Sequence, residues 1–322
     1  MGSNQAATNA NFDVPSLFRI LGYSAERLVL LCEFRIMAKP AINSFSETQV
    51  RTSQLFDKWL VLIVGVTRWG TAWVQQCLDA HPDICAKGEG HFTDLLFPKI
   101  ATAFDDYNSE SDKIGNRLQL AGLPGNAAGY KFDDVDHVLK VAIGLALGQW
   151  LDGRNPSWFV EKTPEHVLNL DLLFRMLPSA CVIHVVRDGR DETVSARKFN
   201  LGISRGDFLK SFQNFASFAE KFAQAWSQSI GAGKKFGQNN QTRYLEIQSS
   251  DITVDPSSIV VALLDFLGVY STQKIAQNCA DMAWDISPLD VEHGVWETTI
   301  DDEANRLFLR HSGELMKLLN YD

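Results

Sequence analysis

Apolar positions along this chain fall into short unbroken runs, separated by longer stretches in which they recur every three or four residues. Trp59 to Val64 is the clearest run, rich in β-branched and aliphatic residues and followed by Gly65. It predicts a strand buried on both faces. Trp158 to Val160, Cys181 to Val186 and Arg243 to Ile247 predict further strands. Helical spacing covers Val167 to Met176, Arg205 to Ser229 and Ser258 to Leu267, and Thr71 to Ala80 runs without Gly or Pro until His81-Pro82. Buried strands alternating with helices predict an α/β fold with a mainly parallel sheet and helices on both faces.

Ahead of the first strand, residues 1–12 are small and polar and are expected to be disordered, while residues 15–38 read as helix, so that 13–58 forms a helical extension. Leu28 to Leu31 is apolar but flanked by Glu26, Arg27, Glu33 and Arg35, which excludes a plain transmembrane span there. The chain shows no internal repeat, and "GLPGNAAG" (Gly122 to Gly129) is its one Gly-rich insertion.

A formal charge of -9 over 322 residues disfavours nonspecific binding to nucleic acid or to an anionic membrane, so an anionic ligand needs local positive charge. The five cysteines are scattered without metal-ligand spacing. With no basic region leading into an apolar stretch at the N-terminus, they read as free thiols of a cytoplasmic protein.

That local charge has candidates. In "VLIVGVTRWGTAW" (Val61 to Trp73) a strand ends at Gly65 and a helix begins near Thr71, which gathers backbone N–H groups and the positive end of a helix around one concavity. The spacing of Gly65 and Gly70 fits a phosphate loop, but Thr71 stands where such a loop carries lysine, and the cation is Arg68 instead. A plain strand-to-helix turn has the same glycines. The second segment, "VIHVVRDGRDETVSARKF" (Val182 to Phe199), runs a buried strand into Arg187 and Arg190 and then Ser195, at the strand end where ligands bind in open α/β sheets.

These residues resemble the sulfotransferases that use 3'-phosphoadenosine 5'-phosphosulfate (PAPS). The first loop stands here as Thr67-Arg68-Trp69-Gly70-Thr71-Ala72-Trp73, and Arg187 with Ser195 has the family's Arg-to-Ser spacing. "HPDICAKGEGHF", "EKTP", "RYLEIQSSDITVDPSSIVVALLDFLGV" and "GVWETTI" follow as similar segments in the expected order, so the likeness runs from Trp59 to the C-terminus. It implies a three-layer, five-stranded parallel sheet of the P-loop nucleotide-binding type over 59–322, with PAPS as donor, PAP as product and no metal. Trp69 and Ala72 depart from the family's small and hydroxylated residues, and Leu289-Asp290-Val291 stands where an Arg-Lys-Gly stretch would be.

By the same resemblance, Arg68 and the backbone from Trp69 through Gly70 and Thr71 to Ala72 would hold the 5'-phosphosulfate, Arg187 and Ser195 the 3'-phosphate, and Trp73 the adenine. Lys162 would neutralise the bridging oxygen, and Glu89 would be the base, with His91 and His166 as rivals. Competing roles are an ion pair of Lys162 with Glu161 or Glu165, a capped helix start plus a surface ion pair with Asp188 or Asp191 for Arg187 and Ser195, and core packing for Trp73. The aromatic series Phe208, Phe212, Phe215, Phe218, Phe222 and Trp226 reads as core. The acceptor is expected to be a small molecule, lipid or glycan, and a homodimer is compatible. A P-loop kinase and a sulfotransferase-like binder without turnover are the two alternatives.

Overall fold

The computed structural model describes residues 45–65, 70–125, 129–151, 154–286 and 293–321. The expected helix over 15–38, Arg68, Trp69 and Leu289-Asp290-Val291 lie outside the described residues. Five strands form one parallel sheet: β1 (Trp59–Gly65), β2 (Ile84–Lys87), β3 (Trp158–Lys162), β4 (Cys181–Val186) and β5 (Tyr244–Gln248). Their order across the sheet is β2-β3-β1-β4-β5, with Leu62 opposite Glu161 on one side and Val182 on the other. The first strand in sequence is thus the central one.

β1 has this position because both of its faces are apolar. Leu60, Leu62 and Val64 join a core with Leu139, Ile143 and Phe159, whereas Val61 and Ile63 pack with Trp73, Leu78, Val160 and Ile183 on the opposite side. Alternation of side chains along a strand separates the two sets. Helices α1 (Phe45–Phe56), α4 (Phe132–Trp150) and α5 (Leu170–Met176) contribute to the first core. Helices α2 (Thr71–Asp79), α9 (Pro256–Leu267) and α10 (Gln273–Ile286) cover the second. Leu55 of α1 is fully buried, so the described part of the 13–58 extension is built into the main core.

Several elements differ from the sequence reading. β2 was not anticipated, nor were α3 (Phe97–Leu120) and α4, which flank the Gly122 to Gly129 segment. The helix expected over Arg205 to Ser229 is two helices, α6 (Gly189–Ser211) and α7 (Phe215–Asn239). Phe212 is extended between them, and the Asn214 side chain caps α7 by accepting from the Ser217 N–H at 2.8 Å. The aromatic series still packs as core: Phe208, Phe218, Phe222 and Trp226 are buried together against Phe308 of α12 (Asp302–Leu318). A short α8 (Ser249–Val254) follows β5, and a single turn α11 (Trp296–Thr299) precedes α12. Among the described residues no helix is long and apolar enough to cross a membrane.

The tightest point of the sheet is Gly65, at φ 148°, where an added Cβ would stand 2.2 Å from the Val185 carbonyl oxygen. Backbone cannot yield there as a side chain could. Gly65→Ala is therefore expected to destabilise the fold by about 3 kcal/mol. Gly231→Ala, within α7 and with open space where its Cβ would go, should stabilise it by about 0.5–1 kcal/mol. Denaturant midpoints of the two variants check the contrast, and equal midpoints would contradict the close approach at β4.

Candidate active site

The carboxyl edge of the sheet collects almost every described residue singled out above. Its chemistry divides into two clusters on either side of the β1 end, one after β2 and β3 and the other after β4.

The first cluster is a chain of alternating charges. Lys162, the last residue of β3, donates to Oε1 of Glu89, which follows β2. The other Glu89 oxygen, Oε2, lies 3.2 Å from His91 Nε2, and His91 Nδ1 lies 2.8 Å from Asp94 Oδ2. Burial alone would raise the Glu89 carboxyl, but the hydrogen bonds and charges of His91 and Lys162 outweigh it and hold the pKa at about 2. Burial likewise works against a charged His91, yet Asp94 and Glu89 raise it to about 10. Burial thus does not lift Glu89 toward neutrality here; its partners keep it ionised.

A second layer lies beneath this chain. The Glu161 carboxylate accepts from the Gly90 N–H at 2.9 Å and from the Thr163 hydroxyl at 2.5 Å. Thr163 Oγ1 in turn accepts from the backbone N–H of Gly90 at 3.1 Å and of His91 at 3.3 Å. Desolvation outweighs these hydrogen bonds and brings Glu161 to about 7, and it brings Glu165, buried next to it in sequence space, also to about 7. His166 is wholly buried, hydrogen-bonded through Nδ1 to Thr93 at 2.8 Å, and depressed by burial to about 3. It is a histidine of the core, closed off from solvent and engaged with Thr93. Lys162 pairs with Glu89, so the competing pairings with Glu161 or Glu165 are not the ones formed.

Between the clusters, α2 starts at Gly70 with no side chain capping it. Gly70 is at φ 90°, and an added Cβ would meet Val185 at 2.8 Å and the Ser249 Cβ at 3.6 Å. The Ser249 hydroxyl is buried beside this helix start without a hydrogen-bond partner among the described residues. Thr71 is buried and Ala72 exposed. Trp73 is fully buried, its ring 6.1 Å from that of Trp284, the packing arrangement expected of a core tryptophan on this helix.

The second cluster begins where β4 ends. Asp188 caps α6 by accepting from the Arg190 N–H at 2.8 Å, and its carboxylate also takes the Arg190 guanidinium at 2.7 Å. Arg190 lies over the Trp296 ring at 3.7 Å and donates to the Tyr321 carbonyl at 3.0 Å. Asp191 accepts from the N–H groups of Gly294 and Trp296, which pins the "GVWETTI" segment against α6. Arg187 is buried with Asp191 4.0 Å away, and Ser195 is half-buried in the second turn of α6. Glu192 lies in the same cluster. Burial raises its carboxyl well above the usual range despite the opposing pull of Arg187.

Three of the expected catalytic residues, Glu89, Lys162 and His91, are therefore in contact, and Arg187 stands across the β1 end from them. Sequence reasoning missed Asp94, Glu161 and Thr163. Their signals were present: Asp94 is three residues beyond His91, and Glu161 and Thr163 bracket Lys162 in "EKTP".

The chain is similar to several known proteins. Protein-tyrosine sulfotransferase A of Caenorhabditis elegans is 22% identical over 76% of this chain and 60% of its own length. Protein-tyrosine sulfotransferase 1 of Danio rerio is 25% identical over 74% of this chain and 63% of its own, so the chain spans about three fifths of these curated relatives. The solved structure of mouse sulfotransferase SULT7A1 complexed with PAP superposes with a TM-score of 0.51, at 14% identity, over 84% of this chain and 89% of that one, a likeness of fold. A model of the sulfotransferase family matches residues 61–273, and the chain belongs to that family.

Proposed function

We propose that the protein transfers a sulfuryl group from PAPS to a hydroxyl or amine of an acceptor, with Glu89 as general base and Lys162 as the cation at the leaving oxygen. The observation that carries this reading is the Lys162–Glu89 contact at the carboxyl edge of the sheet, one strand away from the turn that opens α2.

The residues fit the donor. The N–H groups at the α2 start, the Ser249 hydroxyl, which has no hydrogen-bond partner among the described residues, and the buried Arg187 guanidinium offer an anion three kinds of donor around the β1 end. Arg68 is proposed to add a fourth. When bound, PAPS supplies the sulfuryl group, and the remaining work is orientation and charge stabilisation. Arg187 and Ser195 would hold the 3'-phosphate. Lys162 would turn from Glu89 to neutralise charge on the leaving phosphate oxygen. Glu89, relieved of its strongest cation, would then gain basicity and take the acceptor's proton.

The relatives are named for transfer to protein tyrosine, so a tyrosine-containing peptide joins small alcohols, phenols, lipids and glycans as acceptors to be tried. Incubation with sulfur-35-labelled PAPS and this panel tests transfer directly. No transfer to any member would favour the binder without turnover.

Thermal unfolding in the presence of PAP or of Mg-ATP separates the reading from a P-loop kinase. PAP at a hundred times its Kd is expected to stabilise the protein by about 2.7 kcal/mol, with no comparable shift from Mg-ATP. The reverse pattern would reject the sulfotransferase reading. Arg187→Ala should weaken PAP binding in calorimetry by about 2 kcal/mol, the order of a lost charge-assisted contact, and unchanged affinity would remove Arg187 from the donor site.

A second expectation concerns Lys162. Lys162→Ala should lower kcat by a hundredfold or so, the contribution of one charge-stabilising group, while raising the acid limb of the pH–rate profile because Glu89 loses a cation. A fall in rate with an unmoved acid limb would separate Lys162 from Glu89 in function.

A further inference from the structure

His91 has an arrangement that the role of a base does not explain. It is a non-glycine residue at φ 48°, ψ 42°, a left-handed conformation that costs free energy and persists only when its surroundings enforce it. Here the enforcement comes from three directions. The N–H groups of Gly90 and His91 are held by Glu161 and Thr163. The His91 carbonyl accepts from the N–H groups of Leu95 at 3.1 Å and Leu96 at 3.2 Å, closing a π-helical turn over Phe92–Leu96. Asp94, within that same turn, holds the ring at Nδ1.

The ring contacts also fix its protonation. Asp94 Oδ2 stands at one ring nitrogen and Glu89 Oε2 at the other, and a carboxylate can only accept. Each nitrogen must then carry hydrogen, which makes His91 an imidazolium. An imidazolium has no lone pair with which to remove a proton. His91 is thereby excluded as the base, although it touches the residue that can serve.

We propose that His91, anchored by Asp94, is a positioning residue that holds Glu89 by Oε2, so that Oε1, the oxygen bonded to Lys162, is the one left to meet the acceptor's hydroxyl when Lys162 departs. This rests on Glu89 being the base. The division of the two carboxylate oxygens is the core of the argument. Lys162 and His91 each take one, Lys162 sits on a side chain of four rotatable methylenes, and His91 sits on a backbone fixed at three points. The flexible partner can leave and the rigid one cannot. Loss of both would free the carboxylate to rotate, and loss of neither would leave it no oxygen for a proton. Among the described residues, the charged and titratable groups around the ring include Glu89, Asp94, Glu165, Glu161 and His166, with Lys162 acting through Glu89.

Two measurements on the full chain test this. Nitrogen-15 NMR of the histidines, with His91 assigned by its absence in His91→Asn, should show an imidazolium that persists beyond pH 8. Asp94→Asn and Glu89→Gln should each lower its midpoint by one pH unit or more. A His91 that titrates near pH 6.5 in the wild type, or is indifferent to both variants, overturns the proposal. Asparagine tolerates the left-handed conformation, so His91→Asn should fold, and an unchanged thermal shift with PAP confirms it. With PAPS and p-nitrophenol, His91→Asn should lose tenfold or more in kcat with the KM for PAPS within twofold, and wild-type kcat in this variant also overturns the proposal. If wild type neither binds PAP nor transfers sulfate to any acceptor, the enzyme reading fails instead, and the NMR titration still decides whether Asp94, His91 and Glu89 are coupled.

Discussion

A charge at the edge of a sheet covered on both faces stays ionised only where another group compensates its desolvation, and this constraint organises the whole carboxyl edge. Glu89, 30% exposed and bonded to two cations, is held at about 2. Glu161 and Glu165, more deeply buried and compensated mainly by neutral donors or distant charge, rise to about 7. His166 gives up its charge altogether. Burial penalises every one of them, and only the identity of the partners decides which remain charged. The sorting is sharp enough to distinguish a base candidate from the buried groups of the same cluster.

The second constraint is the central place of β1. Because its neighbours are β3 and β4, the carboxyl end of β1 stands between Lys162, carried by β3, and Arg187, which follows β4. The first cluster engages its cations with Glu89 and Asp94, and the second sets Arg187 among carboxyl groups of which one, Glu192, is pushed well up by burial. The Asp191 contacts to Gly294 and Trp296 and the stacking of Arg190 on Trp296 tie the segment before α12 to this second cluster, which makes the C-terminal region part of the site's support.

Much of this was legible in the sequence, for specific reasons. β1 and β4 are apolar runs and β3 opens with one, β5 alternates apolar and polar residues, and Arg187 and Lys162 stand directly at strand ends. β2 is only "ICAK", too short for periodicity to separate from a loop. In α3 only Gly115 is buried, so the helix has no continuous apolar stripe to announce it. The break between α6 and α7 depends on one capping residue, Asn214, inside an aromatic series whose spacing continues across it. At the site, residue types indicated candidates but not environments. His91 and His166 are equivalent as letters, and the fold alone makes one an imidazolium between carboxylates and the other a neutral core residue. Trp73 is similarly undecided until α2 turns it inward against Trp284.

The Lys162–Glu89 contact has a consequence for the order of events in the proposed reaction. One ammonium group cannot fully serve both Glu89 and a leaving oxygen, since at an effective dielectric of about 20 a unit charge moved from 4 Å to twice that distance loses about half of a 4 kcal/mol interaction. The same displacement that stabilises charge on the donor therefore raises the basicity of Glu89. An acceptor that reached Glu89 before the donor was in place would meet a carboxylate already neutralised by its partners. Donor binding and base activation are thus joined through a single side chain, and the chain needs no separate gate to keep Glu89 inactive until the donor has drawn Lys162 away.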